Sequence, residues 1–142
     1  MSIQIVMMLP PKAASVSFAR HSMAEALRIP GVAPDCIHEA QVALSEACSN
    51  VLRHGGAHES FEVLINIGDV ELTVHILDTS AGIPHTRQLS TWSDVQVEGE
   101  GSMALLTAFA DHASFESAGG RGSVRLKKRL RWDSEATVPT SG

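Results

Sequence analysis

Between Cys36 and Val51 the apolar residues Ile37, Ala40, Leu44, Ala47, Cys48 and Val51 return every three or four positions. That spacing marks one face of an α-helix. Pro34-Asp35 opens the segment and Gly55-Gly56 follows it, which bounds the helix to 34–54. A first helix is predicted over Ser15 to Leu27, where Val16, Ala19, Met23, Ala26 and Leu27 keep the same period until Pro30-Gly31. Other apolar runs are shorter. Ile3 to Met8 (IQIVMM) stops at Pro10-Pro11 and reads as a first or edge strand. Phe61 to Ile67 and Glu71 to Leu77, joined by Gly68-Asp69, carry a hairpin signal. Ser114 to Glu116 and Ser123 to Trp132 suggest a closing hairpin around Gly119-Gly120. In its last strand Val124, Leu126, Leu130 and Trp132 share one face, with Arg125, Lys127, Arg129 and Arg131 on the other. From Thr79 to Glu100 the pattern dissolves into polar and turn residues, as in a functional loop. A third, short helix is predicted over Ser102 to Ala110. The order implies an α+β fold: a two-layer sandwich with a mainly antiparallel sheet and helices on one face.

A chain of 142 residues fits one domain, assigned to 1–132, with 133–142 as a disordered tail. A formal charge of −5 argues against nucleic acid as a direct partner, because phosphate binding relies on clustered Lys and Arg. Cys36 and Cys48 stand more than three turns apart in one helix, so they cannot pair with each other there. Reduced thiols fit a cytoplasmic protein. There is no apolar run near the roughly 20 residues of a membrane span, and no signal-peptide pattern at the start. No membrane role is expected.

The chemistry gathers in LSEACSNVLRHG, Leu44 to Gly55, where Glu46, Asn50 and His54 recur every four residues. Positions four apart advance by about 40° around a helix, so the three trace a diagonal. On a helical wheel Glu46 points away from the core, Asn50 to its flank and His54 to its edge. A carboxylate there can take a proton from a hydroxyl, and an amide oxygen is a hard, neutral ligand for Mg²⁺. Taken alone, such residues on the outer half of a helix are more often solvated than catalytic. Three further segments add to the row. A strand delivers Asp78 to the small-residue turn Thr79-Ser80-Ala81-Gly82, where an acid can accept from an amino group while a flat ligand nears the backbone. Gly99-Glu100-Gly101-Ser102-Met103 leads into a helix, a ready phosphate site. Gly120-Arg121-Gly122-Ser123 enters the last strand.

In that order the segments resemble the GHKL, or histidine-kinase-like, ATPase superfamily, and within it the bacterial anti-sigma factor serine-protein kinases. The resemblance runs from LPPKAASVSFAR at Leu9–Arg20 to GGRGSVRLKKRL at Gly119–Leu130, with LSEACSNVLRHG as its most specific piece. It implies the GHKL sandwich with a mixed, mostly antiparallel sheet. It implies ATP and Mg²⁺ as cofactors, Glu46 as general base, Asn50 as the Mg²⁺ ligand, and His54 closing the same box. It further implies Asp78 on the adenine amino group with Gly82 beside it, and a lid from about Pro84 to Glu100. Gly99, Gly101, Ser102 and Met103 would hold phosphates, and Ser123 would support the adenine end. The implied partners are a sigma factor, a small anti-anti-sigma protein phosphorylated on serine, and a second copy in a homodimer. Two features depart from the family pattern. Ser80 occupies the first glycine position of Asp-x-Gly-x-Gly, and no Lys or Arg lies between Gln88 and Gly120. Both favour the alternative of a non-catalytic module on the same fold. A switch kinase inside a stress-signalling complex is the other alternative.

Overall fold

The structure, a computed structural model, describes residues 2–54, 60–78, 93–94, 109–118 and 121–133. Its elements are β1 (Ile3–Leu9), α1 (Ala13–Arg28), α2 (Pro34–His54), β2 (Phe61–Ile67), β3 (Glu71–Asp78), β4 (Ser93–Asp94), β5 (His112–Ala118) and β6 (Arg121–Arg129). Six strands form one sheet in the order β1-β2-β3-β6-β5-β4, and each pairing is antiparallel. The fold is the expected α+β sandwich. Most of the anticipated loop after Thr79, and residues 102–108 of the anticipated third helix, lie outside the described residues, as does the tail beyond 133. Inside that loop the two residues of β4 pair with β5 as an edge strand.

Alternation decides which sheet face is covered. Phe61, Val63, Ile65 and Ile67 of β2 are buried, as are Leu72, Val74 and Ile76 of β3 and Val124 and Leu126 of β6. This face packs against α2, whose stripe Ile37, Ala40, Leu44, Ala47, Cys48 and Val51 is buried throughout. Helix α1 lies beside α2 and buries Ala19, Met23 and Leu27. Each large apolar side chain removed from water here contributes about 1.5–3 kcal/mol, which makes this interface the main source of stability. At the sheet edge, β1 exposes Val6 and Met8.

Helix α1 ends in a Schellman pattern: Val32 N–H donates to Leu27 O at 3.2 Å and Gly31 N–H to Arg28 O at 3.1 Å. Gly31 takes φ of 98°, a left-handed conformation natural to a residue without Cβ. The turn is then stitched to the residues that follow β6. Ala33 N–H donates to Arg131 O and Asp133 N–H to Gly31 O, both at 2.8 Å, around the bridge Val32–Trp132.

Past Arg129 the predicted alternation fails. Leu130 is buried, but Arg131 leaves the outer face and reaches the α2 carboxylates of Asp35 and Glu39. The strand has ended, so side chains no longer obey a two-residue period. Among the described residues, no helix is long and apolar enough to cross a membrane.

Candidate functional site

Register fixes which residues share an end of the molecule. Leu77 pairs with Ser123, so Asp78 at the end of β3 lies beside the start of β6. Helix α2 runs antiparallel to β6, because Glu39 in its first half bonds Lys128 near the strand's end. From Glu39 to Asn50 the helix rises about 16 Å, and from Lys128 back to Ser123 the strand spans a similar length. Asn50, Asp78 and Ser123 therefore belong to the same end of the helix–sheet interface.

All three are buried: Asn50 and Asp78 at 0% exposure and Ser123 at 4%. Asn50 is deeper than its flank position on a helical wheel indicates. Helix α2 is covered on two sides, by the sheet and by α1, so its flank is also interior. Asn50 and Asp78 both engage in interactions with the protein. A buried carboxylate is costly unless something compensates it, and the end of a strand is an unusual place to maintain one for packing alone.

Glu46 faces elsewhere. It is half-buried and lines a cavity of about 270 Å³ with Arg20, His38, Gln41, Val42 and Ser45, between α1 and α2. Arg20 Nη1 donates to Ser45 Oγ at 3.4 Å across it. A second cavity of about 600 Å³ shares Arg20 and Ser45 and continues toward Lys12 and Leu52. Two members of the expected diagonal, Glu46 and Asn50, are described. Its carboxylate borders an open groove and its amide is sealed inside. His54 ends α2, with its side chain outside the described residues, and so are Gly82, Gly99, Gly101, Ser102 and Met103.

The thiols behave as expected. Cys36 and Cys48 are free and buried, and burial pushes the Cys48 thiol up to about 12. Sequence reasoning missed Lys128. It lies on the core face of β6 at 4% exposure, its Nζ donating to Glu39 Oε1 and to Phe109 O, each at 2.8 Å. Lys128 shares parity with Val124 and Leu126, and that was the available signal; the surrounding run Arg125-Leu126-Lys127-Lys128-Arg129 disguised it as solvated charge.

Among the described residues, no group of three or more His, Cys, Asp or Glu side chains forms a metal cage. A single buried amide suits a different kind of site. Mg²⁺ takes few protein ligands and keeps water and phosphate oxygens around it. The neutral Asn50 and the hydrogen-bond acceptor Asp78 fit a metal-bound nucleotide in that respect.

Comparison with known proteins agrees with the geometry. The histidine kinase-like ATPase domain family matches residues 9–128. Over 80 residues the chain is 32% identical to the serine-protein kinase RsbW of Bacillus thuringiensis (strain Al Hakam), covering 56% of this chain and 50% of that protein. The same values hold for the serine-protein kinases RsbW of Bacillus cereus (strain B4264) and Bacillus anthracis (strain A0248). The matched segment thus spans half the length of these relatives. The crystal structure of the RsbU and RsbW domains of Rv1364c from Mycobacterium tuberculosis superposes with a TM-score of 0.68 at 17% identity, covering 93% of this chain and 35% of that one. At that identity the likeness concerns the fold.

Proposed function

The chain belongs to the histidine kinase-like ATPase domain family, and on that premise we propose that it binds Mg-ATP and phosphorylates a serine on a partner protein. The observation that carries this reading is the burial of Asn50 and Asp78 together at one end of the α2–sheet interface. Asp78 accepts from the adenine amino group, with Ser123 beside it and Gly82 leaving room for the ring. Gly99, Gly101, Ser102 and Met103 receive the phosphates through backbone N–H groups, and His54 closes the helix side. Asn50 holds Mg²⁺, which neutralises phosphate charge when bound.

Glu46 serves as the general base. It takes the proton from the incoming serine hydroxyl as the Oγ–P bond forms and the bond from that phosphorus to ADP breaks. Its place on an open groove suits a base that must meet a group delivered by another protein. In this reading residues 1–132 act as one cytoplasmic domain, dimeric, that sequesters a sigma factor and phosphorylates an anti-anti-sigma protein. The Ser80 position and the acidic stretch between Gln88 and Gly120 favour a second reading, a non-catalytic binding module.

Calorimetric titration with Mg-ATP, joined to a phosphate-transfer assay on a purified anti-anti-sigma partner, separates the two. Saturable binding with serine phosphorylation, the latter falling about 10²- to 10⁴-fold in Glu46→Gln at unchanged nucleotide affinity, is the expected result. No heat of association with any adenine nucleotide overturns the proposal. Binding without transfer leaves the non-catalytic module.

A further inference from the structure

The two edges of the sheet are built differently. At one edge β4 is two residues long and ends in the acid Asp94. At the other, β1 runs for seven residues, IQIVMML, with no charge and no proline. Its register against β2 is unbroken from Ile3 to Leu9, so no bulge interrupts it. Among the described residues β1 has a strand neighbour on one side only. In an antiparallel ladder every second residue turns its N–H and C=O away from that neighbour, which leaves a second row for another strand. Sheets that end in water blunt such an edge with charge, proline, a bulge or brevity. β4 does so and β1 does not.

Exposed apolar side chains gather at the same border. Val6 and Met8 stand on the outer face of β1. Its other face carries Ile3, Ile5 and Leu9, which are only half-buried against the core. Helix α2 packs over β3 and β6, while α1 packs over β1 and β2. Val16 and Arg20 share a cavity with Ser45 and Ser49, which fixes the side of α1 that meets α2. Phe18 lies about 160° around the helix from both, and Ile29 about 20° from Phe18. Both are exposed, and both point away from α2 toward the border that β1 forms. Val70, in the β2–β3 turn, is the one large exposed apolar side chain elsewhere among the described residues.

We propose that this border is a homodimer interface, in which the β1 strands of two copies pair antiparallel about a two-fold axis at Val6 and continue the sheet. This rests on the dimeric part of the reading above and on none of its chemistry. A second copy is the occupant because the border complements itself. Centred on Val6, the full-length register sets Ile3 opposite Leu9, Gln4 opposite Met8 and Ile5 opposite Met7, and no like charges meet. Glu25, on the same flank of α1 as Phe18, is paired to Arg28 and brings no net charge. The spacing agrees as well. Strands sit about 4.8 Å apart, so the axis lies about 2.4 Å beyond β1. Helix α1, shared between β1 and β2, lies about 2.4 Å to the other side of β1. The two α1 helices then stand about 10 Å apart, a packing distance for helices, with Phe18 and Ile29 between them.

The test reads mass by sedimentation equilibrium over a concentration series for wild type, Val6→Lys, Phe18→Glu and the control Val70→Lys. Wild type is expected to be a dimer. Val6→Lys and Phe18→Glu are expected to raise its dissociation constant about ten-fold or more, because each forces charge into the contact, whereas Val70→Lys leaves it unchanged. Oxidative cross-linking reads the register, since the native thiols of Cys36 and Cys48 are buried. In Val6→Cys the new thiols of two copies meet within disulfide range, but in Gln4→Cys they stand about 13 Å apart along the strands. Val6→Cys is therefore expected to form a covalent dimer well ahead of Gln4→Cys. A monomeric wild type overturns the proposal. So does a dimer that neither charged variant weakens, or cross-linking equally fast in both cysteine variants. If Val6→Lys does not fold, Phe18→Glu and the cross-linking carry the comparison. Mg-ATP calorimetry on the same wild-type sample keeps the failures apart: nucleotide binding by a monomer strikes the interface alone, and a dimer without nucleotide binding strikes the ATP reading alone.

Discussion

Among the described residues two charged side chains are buried, and they sit at opposite ends of one interface: Asp78 where β3 ends and Lys128 where β6 nears its end. Lys128 meets opposite charge from within the protein, Glu39 on α2. Asp78 lies in the same end region as a neutral amide, Asn50, and a hydroxyl, Ser123, which is chemistry suited to a polar ligand. The same helix thus serves a structural junction with its first half and a candidate site with its second. Burial alone does not separate these roles.

The comparison can be broken at its functional end first. In Asp78→Asn the carboxylate acceptor is lost, and hydrogen bonds to charged groups contribute about 1.5–3 kcal/mol. Mg-ATP affinity should fall about ten- to hundred-fold by calorimetry while chemical unfolding shifts little. A large loss of stability with unchanged affinity would make Asp78 a structural group.

At the other end the sign reverses. Glu39→Ala leaves the Lys128 ammonium buried beside Phe109 O alone. Unfolding in urea should show a loss of about 2 kcal/mol, below the roughly 3–5 kcal/mol of a fully buried pair because Glu39 keeps 30% exposure. A change under about 0.5 kcal/mol would mean that the pair holds nothing in place.

Acid sharpens the same contrast. The hydrogen bond from Lys128, followed by that from Arg131, holds the Glu39 carboxyl below the ordinary carboxylate value of 4.5, against burial acting in the other direction. The folded value lies below the unfolded one, so the contribution of Glu39 is complete above 4.5 and fades as pH falls through the folded value. Urea titrations from pH 6 to pH 3 should show wild type losing stability faster than Glu39→Gln below about pH 4.5. Parallel curves would remove Glu39 from the account.

The smallest effect belongs to a pair that has good geometry and no burial. Arg28 Nη1 and Glu25 Oε2 approach to 2.6 Å with side chains 56% and 76% exposed. Glu25→Gln should change the urea midpoint by an amount equivalent to less than about 0.5 kcal/mol. A larger loss would show that distance matters here more than solvent exposure.

Helix α2 was legible to the residue because Pro34, a continuous 3.6-residue stripe and Gly55 all act locally. Strand β2 was equally clear from Phe61 to Ile67, and its hairpin partner β3 ran one residue past expectation, to Asp78. Asp78 itself stood out because a strand delivers it to a turn of small residues. The first helix extends further than its stripe suggested, from Ala13 to Arg28, since its ends are polar or small and its periodicity gives no boundary. The last hairpin was found, though β5 runs beyond Ser114 to Glu116 and β6 (Arg121–Arg129) starts before Ser123 and ends short of Trp132, because backbone pairing needs no apolar side chain to mark its ends.

Composition and period by themselves determined α1, α2 and the strands β1, β2, β3, β5 and β6 in their order, and the row Glu46, Asn50, His54 in the sequence, because those follow from interactions between residues a few positions apart. The tertiary structure decided how deeply each polar group sits. Asn50 became interior only when α1 and the sheet closed over both sides of α2, and Lys128 found Glu39 only when a strand and a helix 89 positions apart were stacked. Burial of a charge depends on what faces it across the fold, and a local pattern holds no information about that distant surface.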